Sequence, residues 1–270
     1  MDRFVSPLVA LLATFSASAA DIVERPDWQK HFDALGARGT FVLLEPANDR
    51  YLVLNETRAK QGFIPASTFK IPNALIGLEV GSIADENEVF RWDGKPKIRR
   101  EWERDQTLDT GMKYSVVWMF QEIARRTGKE RMKEWLTRLD YGNKDMRGGI
   151  DQFWLQGAIR ISAFQQVDFL RKLSEGELPM TQRSQRLVRE ALVFEKTPVY
   201  TLYAKSGSTG MTPKHPVDWW VGWVERKGKP RAYFAMNFQP TAKTRYEDRI
   251  AITRAILDEA GVLPSGFRPS

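Results

Sequence analysis

Strand signals gather at the two ends of this chain and helical signals fill the stretch between them, a split that limits the fold more than any other feature. Thr40 to Glu45 (Thr-Phe-Val-Leu-Leu-Glu) reads as a strand, Pro46-Ala47-Asn48-Asp49 as a turn, and Tyr51 to Leu54 as the returning partner. Val199 to Lys205, Trp219 to Glu225 and Arg231 to Phe238 form a second cluster, the last two joined hairpin-fashion through Arg226-Lys227-Gly228-Lys229-Pro230. Roughly 140 residues separate the clusters, mostly with helical periodicity. Amphipathic segments run over Ser115 to Arg126, Lys129 to Leu139, Ser162 to Leu173 and Thr181 to Leu192. Ser162 and Gln165 make a capping-box start for the third. Asp27 to Leu35 and Tyr246 to Ala260 supply terminal helices. These elements predict an α+β fold: an antiparallel sheet of about five or more strands built from both chain ends and flanked by the terminal helices, with a helical lobe over roughly residues 80–195. The active site is expected in the cleft between them.

Composition removes several kinds of chemistry. The 270 residues contain no cysteine, which excludes disulfides, thiolate nucleophiles and cysteine-ligated metals. Only His31 and His215 could serve a Ser-His-Asp triad. His215, in a loop with Asp218 as its one nearby acid, reads as a loop histidine. No metal site is expected. The net charge of +7 comes from 41 basic and 34 acidic residues that interleave, as in Arg99-Arg100-Glu101-Trp102-Glu103-Arg104-Asp105. That pattern does not make the basic stripe nucleic acid requires, and suits a small anionic substrate better. At the N-terminus, Arg3, the apolar run Val5 to Phe15 and Ala17-Ser18-Ala19-Ala20 read as a cleavable export signal over residues 1–20. The remainder, 21–270, is read as one domain without a membrane span, monomeric or homodimeric.

Ser67-Thr68-Phe69-Lys70 follows a loop and precedes the apolar run Ile71 to Val80. Residues i and i+3 share a helix face, so hydroxyl and amine would project together, and a neutral amine could take the hydroxyl proton without any histidine. Pro72 is tolerable within the first helical turns. About one S-x-x-K is expected by chance in a chain this long, and a solvated lysine one turn from an N-cap serine is the plain alternative. The setting favours chemistry: Phe63, Ile64, Phe69, Ile71 and Leu75 make an apolar neighbourhood, and desolvation lowers a lysine's pKa.

Three further pieces arrive in order: Ser115-Val116-Val117, Tyr141-Gly142-Asn143 and Lys205-Ser206-Gly207. With Ser67-x-x-Lys70 they resemble the penicillin-recognising serine enzymes, and more narrowly the class D (oxacillinase-type) β-lactamases. Phe153-Trp154-Leu155-Gln156-Gly157 and Trp219-Trp220-Val221-Gly222-Trp223 extend the resemblance, which runs from about Gly39 to Leu263. It implies hydrolysis of β-lactam antibiotics (penicillins including the oxacillin type, with cephalosporins or carbapenems in the family's range) and hence antibiotic resistance in the periplasm. It implies Ser67 as the acylated nucleophile and Lys70, carboxylated by CO2 or bicarbonate, as general base for acylation and deacylation. Trp154 would steady that group through its indole N–H, and Val117 would line the apolar wall. Ser115 would relay a proton to the leaving nitrogen with help from Lys205, and the backbone N–H groups of Ser67 and Ser208 would form the oxyanion hole. Ser206, Lys205 and Arg249 would take the substrate carboxylate, with Arg245 as the alternative arginine. Gly207 would let an extended substrate lie close to its strand. The sequence departs from the family in having Ser206 where Thr is frequent, and Trp118 where many relatives have proline. The same motifs also occur in penicillin-binding sensor domains and in cell-wall transpeptidases or carboxypeptidases, which are acylated but deacylate slowly.

Overall fold

The computed structural model describes residues 21–210 and 216–264. The export-signal reading and His215 lie outside the described residues. The elements run β1 (Asp21–Glu24), α1 (Lys30–Asp33), β2 (Arg38–Glu45), β3 (Arg50–Leu54), α2 (Glu56–Lys60), α3 (Lys70–Glu79), α4 (Leu108–Lys113), α5 (Val117–Thr127), α6 (Lys129–Arg138), α7 (Ala163–Glu175), α8 (Gln182–Ala191), β4 (Val193–Lys196), β5 (Thr201–Ser208), β6 (Asp218–Arg226), β7 (Lys229–Gln239) and α9 (Tyr246–Glu259).

Seven strands form one sheet in the order β1-β3-β2-β7-β6-β5-β4, so N-terminal and C-terminal strands meet at the β2–β7 pair. Every pair is antiparallel except β1 with β3. The α+β expectation holds, with two strands more than the sequence shows. β1 is exposed throughout and β4 is an exposed edge strand, so neither carries the buried alternation that marks a strand in sequence.

Strand periodicity divides the apolar side chains between two cores. Val42, Leu44, Trp219, Val221, Trp223, Tyr233 and Ala235 join the core shared with α3, α5, α6, α7 and α8. Their neighbours Phe41, Leu43, Trp220, Val224, Phe234, Met236 and Phe238 pack with Trp28, Phe32 and the Ile252, Ile256 and Leu257 face of α9. Helix α7 lies against β7, β2 and β6, so this one central helix is a layer on the sheet rather than part of a detached bundle. Its N-terminus shows the capping box foreseen at Ser162 and Gln165. Pro72 falls third in α3, where its missing N–H costs no helical bond. Among the described residues no helix is long and apolar enough to cross a membrane.

Candidate active site

Ser67 sits in a single 3-10 turn, Ala66–Phe69, that runs directly into α3 at Lys70. Ala66 is buried with φ of 48°, a left-handed conformation that costs a non-glycine residue on the order of 1 kcal/mol or more. The surroundings hold it there. Pro65 O accepts from both Thr68 N (3.1 Å) and Thr68 Oγ1 (2.8 Å), and Gln166 Nε2 of α7 donates to Thr68 Oγ1 at 2.8 Å. Trp219 Nε1 donates to Ile64 O at 2.9 Å, and Asn73 Nδ2 to Phe120 O at 2.9 Å, so sheet and helices both fix the turn.

Lys70 Nζ donates to Ser67 Oγ at 2.7 Å. The lysine is completely buried, against the ring of Phe120, 5.5 Å from Nζ. Phe69 stacks on Trp154 (5.2 Å between centroids, 19° between planes) and meets Phe153 edge-on. Burial, then the positive charges of Lys205 and Arg99, hold the Lys70 amine well below its ordinary pKa, which favours its neutral form.

The second hydroxyl–amine pair is Ser115 and Lys205. Ser115, φ 54°, sits in the bend between α4 and α5 and accepts from Lys205 Nζ at 2.9 Å; the same amine donates to Ser206 O at 3.0 Å. That bend delays α5 to Val117, two residues later than its apolar pattern suggests. Burial first, then Arg99 and Arg249, push Lys205 down to about 7.

Strand β5 closes the site. β4 covers only Thr201 to Tyr203, which leaves the edge of Lys205 to Ser208 free on the side facing the Ser67 turn. Gly207 makes that approach: a Cβ there would lie 2.8 Å from Pro65 O and 3.1 Å from Thr68 Cγ2. Ser208 faces Asp218 across the β5–β6 ladder, and buried Asp218 ion-pairs with Arg249 of α9. Arg249 is therefore a buried, carboxylate-bound side chain rather than an exposed helical one; among the described residues its Nε and Asp218 Oδ1 have no hydrogen-bond partner. Arg245 is the exposed N-cap residue of α9.

Ser67, Ser115, Val117, Ser206, Gly207, Ser208 and Arg249 line one cleft of about 490 Å³, with Arg99, Trp102 and Tyr246. Lys70 lies behind Ser67 and Lys205 behind Ser115. Tyr141-Gly142-Asn143 does not line it. Asn143 instead closes the base of a loop, with its N donating to Arg160 O and its Oδ1 accepting from Arg160 N, both at 2.9 Å, and that loop carries Trp154. His31 pairs with Glu259 on α9. Among the described residues no three His, Cys, Asp or Glu side chains group as metal ligands.

The penicillin binding protein transpeptidase domain matches residues 39–258. Beta-lactamase OXA-5 of Pseudomonas aeruginosa is 42% identical over 98% of this chain and 100% of its own length. Beta-lactamase OXA-48 of Klebsiella pneumoniae is 43% identical over 95% and 96%. The crystal structure of FUS-1 (OXA-85), a class D β-lactamase from Fusobacterium nucleatum subsp. polymorphum, superposes with a TM-score of 0.85 at 35% identity, covering 90% of this chain and 100% of that one. The chain belongs to the class D β-lactamases.

Two residues of this class D β-lactamase escape a reading of the sequence. Asp218 is the partner of Arg249, a pairing visible only once β5 and β6 are in register. Arg99 reads as one charge in a solvated run, yet lines the cleft and acts on both buried lysines.

Proposed function

We propose that this class D β-lactamase opens penicillins through a Ser67 acyl-enzyme, and the observation that carries the reading is the 2.7 Å contact between Ser67 and a completely buried Lys70, whose surroundings favour the neutral amine. The amine accepts the Ser67 proton as Oγ bonds to the lactam carbonyl carbon. The N–H groups of Ser67 and Ser208 receive the developing oxyanion. The C–N bond breaks, the leaving nitrogen takes a proton from Ser115, Ser115 regains one from Lys205 through their shared hydrogen bond, and the proton that Lys70 took from Ser67 restores Lys205, leaving Lys70 neutral for the next step. Water then attacks the ester with its proton accepted on the Lys70 side, releasing Ser67. Ser206, Lys205 and Arg249, of which Ser206 and Arg249 line the cleft, hold the substrate carboxylate. Gly207 and Val117 shape the walls.

The residues around Lys70 also suit carboxylation by CO2. Only a neutral amine reacts with CO2, and the two cations that disfavour an ammonium at this position favour an anion there. The carbamate so formed would supply a stronger general base, with Trp154 and Val117 as its surroundings. Residues 1–20 and the family together support export to the periplasm, where resistance to these antibiotics would be exerted.

The test is turnover of benzylpenicillin by purified protein in bicarbonate-stripped buffer and after bicarbonate is restored. Multiple turnovers that slow on stripping and recover on addition are expected. Turnover indifferent to bicarbonate contradicts the carbamate, and stoichiometric acylation without turnover favours a sensor or transpeptidase instead.

A further inference from the structure

The charges around the cleft do not balance. Arg99, Lys113 and Arg249 line it, with Lys70 and Lys205 behind, and the carboxylate among the lining residues is Glu101. Arg249 has Asp218 as counter-ion. Arg99 has none: among the described residues its side chain makes no hydrogen bond or ion pair, and the guanidinium stands 5.9 Å from the ring of Trp102. That indole is held in turn, Nε1 donating to Tyr114 O at 2.9 Å while Trp102 O accepts from Trp118 Nε1 at 3.0 Å. Arg99 therefore presents an unneutralised planar cation from a fixed platform. Arg99 comes from the turn that holds Trp102, whereas Arg249 comes from α9 and is paired with Asp218 of β6, so the two guanidiniums reach the cleft from different elements. Ile98 beside it is almost fully exposed and offers apolar contact at the same lip.

We infer that Arg99 is a specificity-determining residue that favours β-lactams bearing a second anionic group on the acyl side chain, while the Ser206–Arg249 end holds the ring carboxylate. This rests on the penicillin-hydrolysis reading above. A guanidinium fork matches a carboxylate with two parallel hydrogen bonds, and its solvent exposure sets the gain at a few-fold rather than a thousandfold.

Carbenicillin and benzylpenicillin are a matched pair that differ by one side-chain carboxylate, and the quantity to measure is the ratio of their kcat/KM values. Both meet the same Ser67–Lys70 pair, so the ratio cancels whatever Arg99 does to the lysines. In Arg99→Gln the carbenicillin to benzylpenicillin ratio is expected to fall roughly three- to tenfold, and in Arg99→Lys by about half that factor or less. Added salt should lower the wild-type ratio and leave the Arg99→Gln ratio flat. An unchanged ratio, or equal losses on both substrates, overturns the inference while leaving penicillin hydrolysis intact. Wild-type protein inert to both substrates overturns the hydrolysis reading and this one with it.

Discussion

Lys205 and Lys70 are two amines buried within reach of each other's charge, and their protonation decides what the cleft can do. Lys205 falls from its ordinary 10.5 to about 7, with burial as the main cause. Lys205 hands a proton toward the leaving nitrogen and holds the substrate carboxylate only while it is protonated, so kcat/KM for a penicillin should decline as pH rises above about 7, a pH–rate profile being the check. Lys205→Arg, which stays charged at all working pH values, should lose that alkaline decline, and a wild-type profile flat from pH 6 to pH 9 would contradict the assignment. Stability follows the same proton. Between about 7 and 10.5 the unfolded chain holds a proton on Lys205 that the folded chain has shed, so folding stability gained from this group rises with pH through that window. The two hydroxyl–amine pairs were legible as motifs at this scale. Arg249 was legible as an arginine near the site but not as a buried partner of Asp218, because that pairing depends on how α9 lies against β6.

Individual elements bring the side chains together through backbone that tolerates little change. Gly142 has φ of 54°, and a Cβ there would lie 2.2 Å from Arg160 O. Asn143 and Arg160 clamp the loop base at this point, and Asn143 Nδ2 adds a bond to Ala158 O at 3.1 Å. Gly142→Ala should therefore cost about 1–3 kcal/mol and loosen the loop that carries Trp154. Thermal unfolding together with kcat for penicillin reads this out: a lower midpoint and at least a several-fold fall in kcat are expected, and unchanged values of both would show that the turn is incidental. Most strands and helices could be read from sequence because buried faces leave a period of 2 or 3.6 in the residues. β1, β4, α2 and α4 could not, since short or exposed elements leave no such trace. The 3-10 turn at Ser67 and the late start of α5 were also hidden, because left-handed Ala66 and Ser115 are set by tertiary packing and not by their own propensity.

In the molecule as a whole, strands from both chain ends meet between β2 and β7, and sheet and helices together bury Lys70 behind Ser67 beside an open strand edge. The crevice was foreseeable from the split between strand and helix signals. Its charge was not, because +7 spread along a chain says nothing of how many cations converge on one cleft. The Ser67–Lys70 pair is the centre of the account, and intact-protein mass spectrometry after mixing with benzylpenicillin tests it most directly. Wild-type protein should gain one penicilloyl mass that then clears, Ser67→Ala should gain none, and Lys70→Ala should gain it slowly and retain it. An adduct on Ser67→Ala, or clearance from Lys70→Ala as fast as from wild type, would contradict the claim that these two side chains form and break the ester.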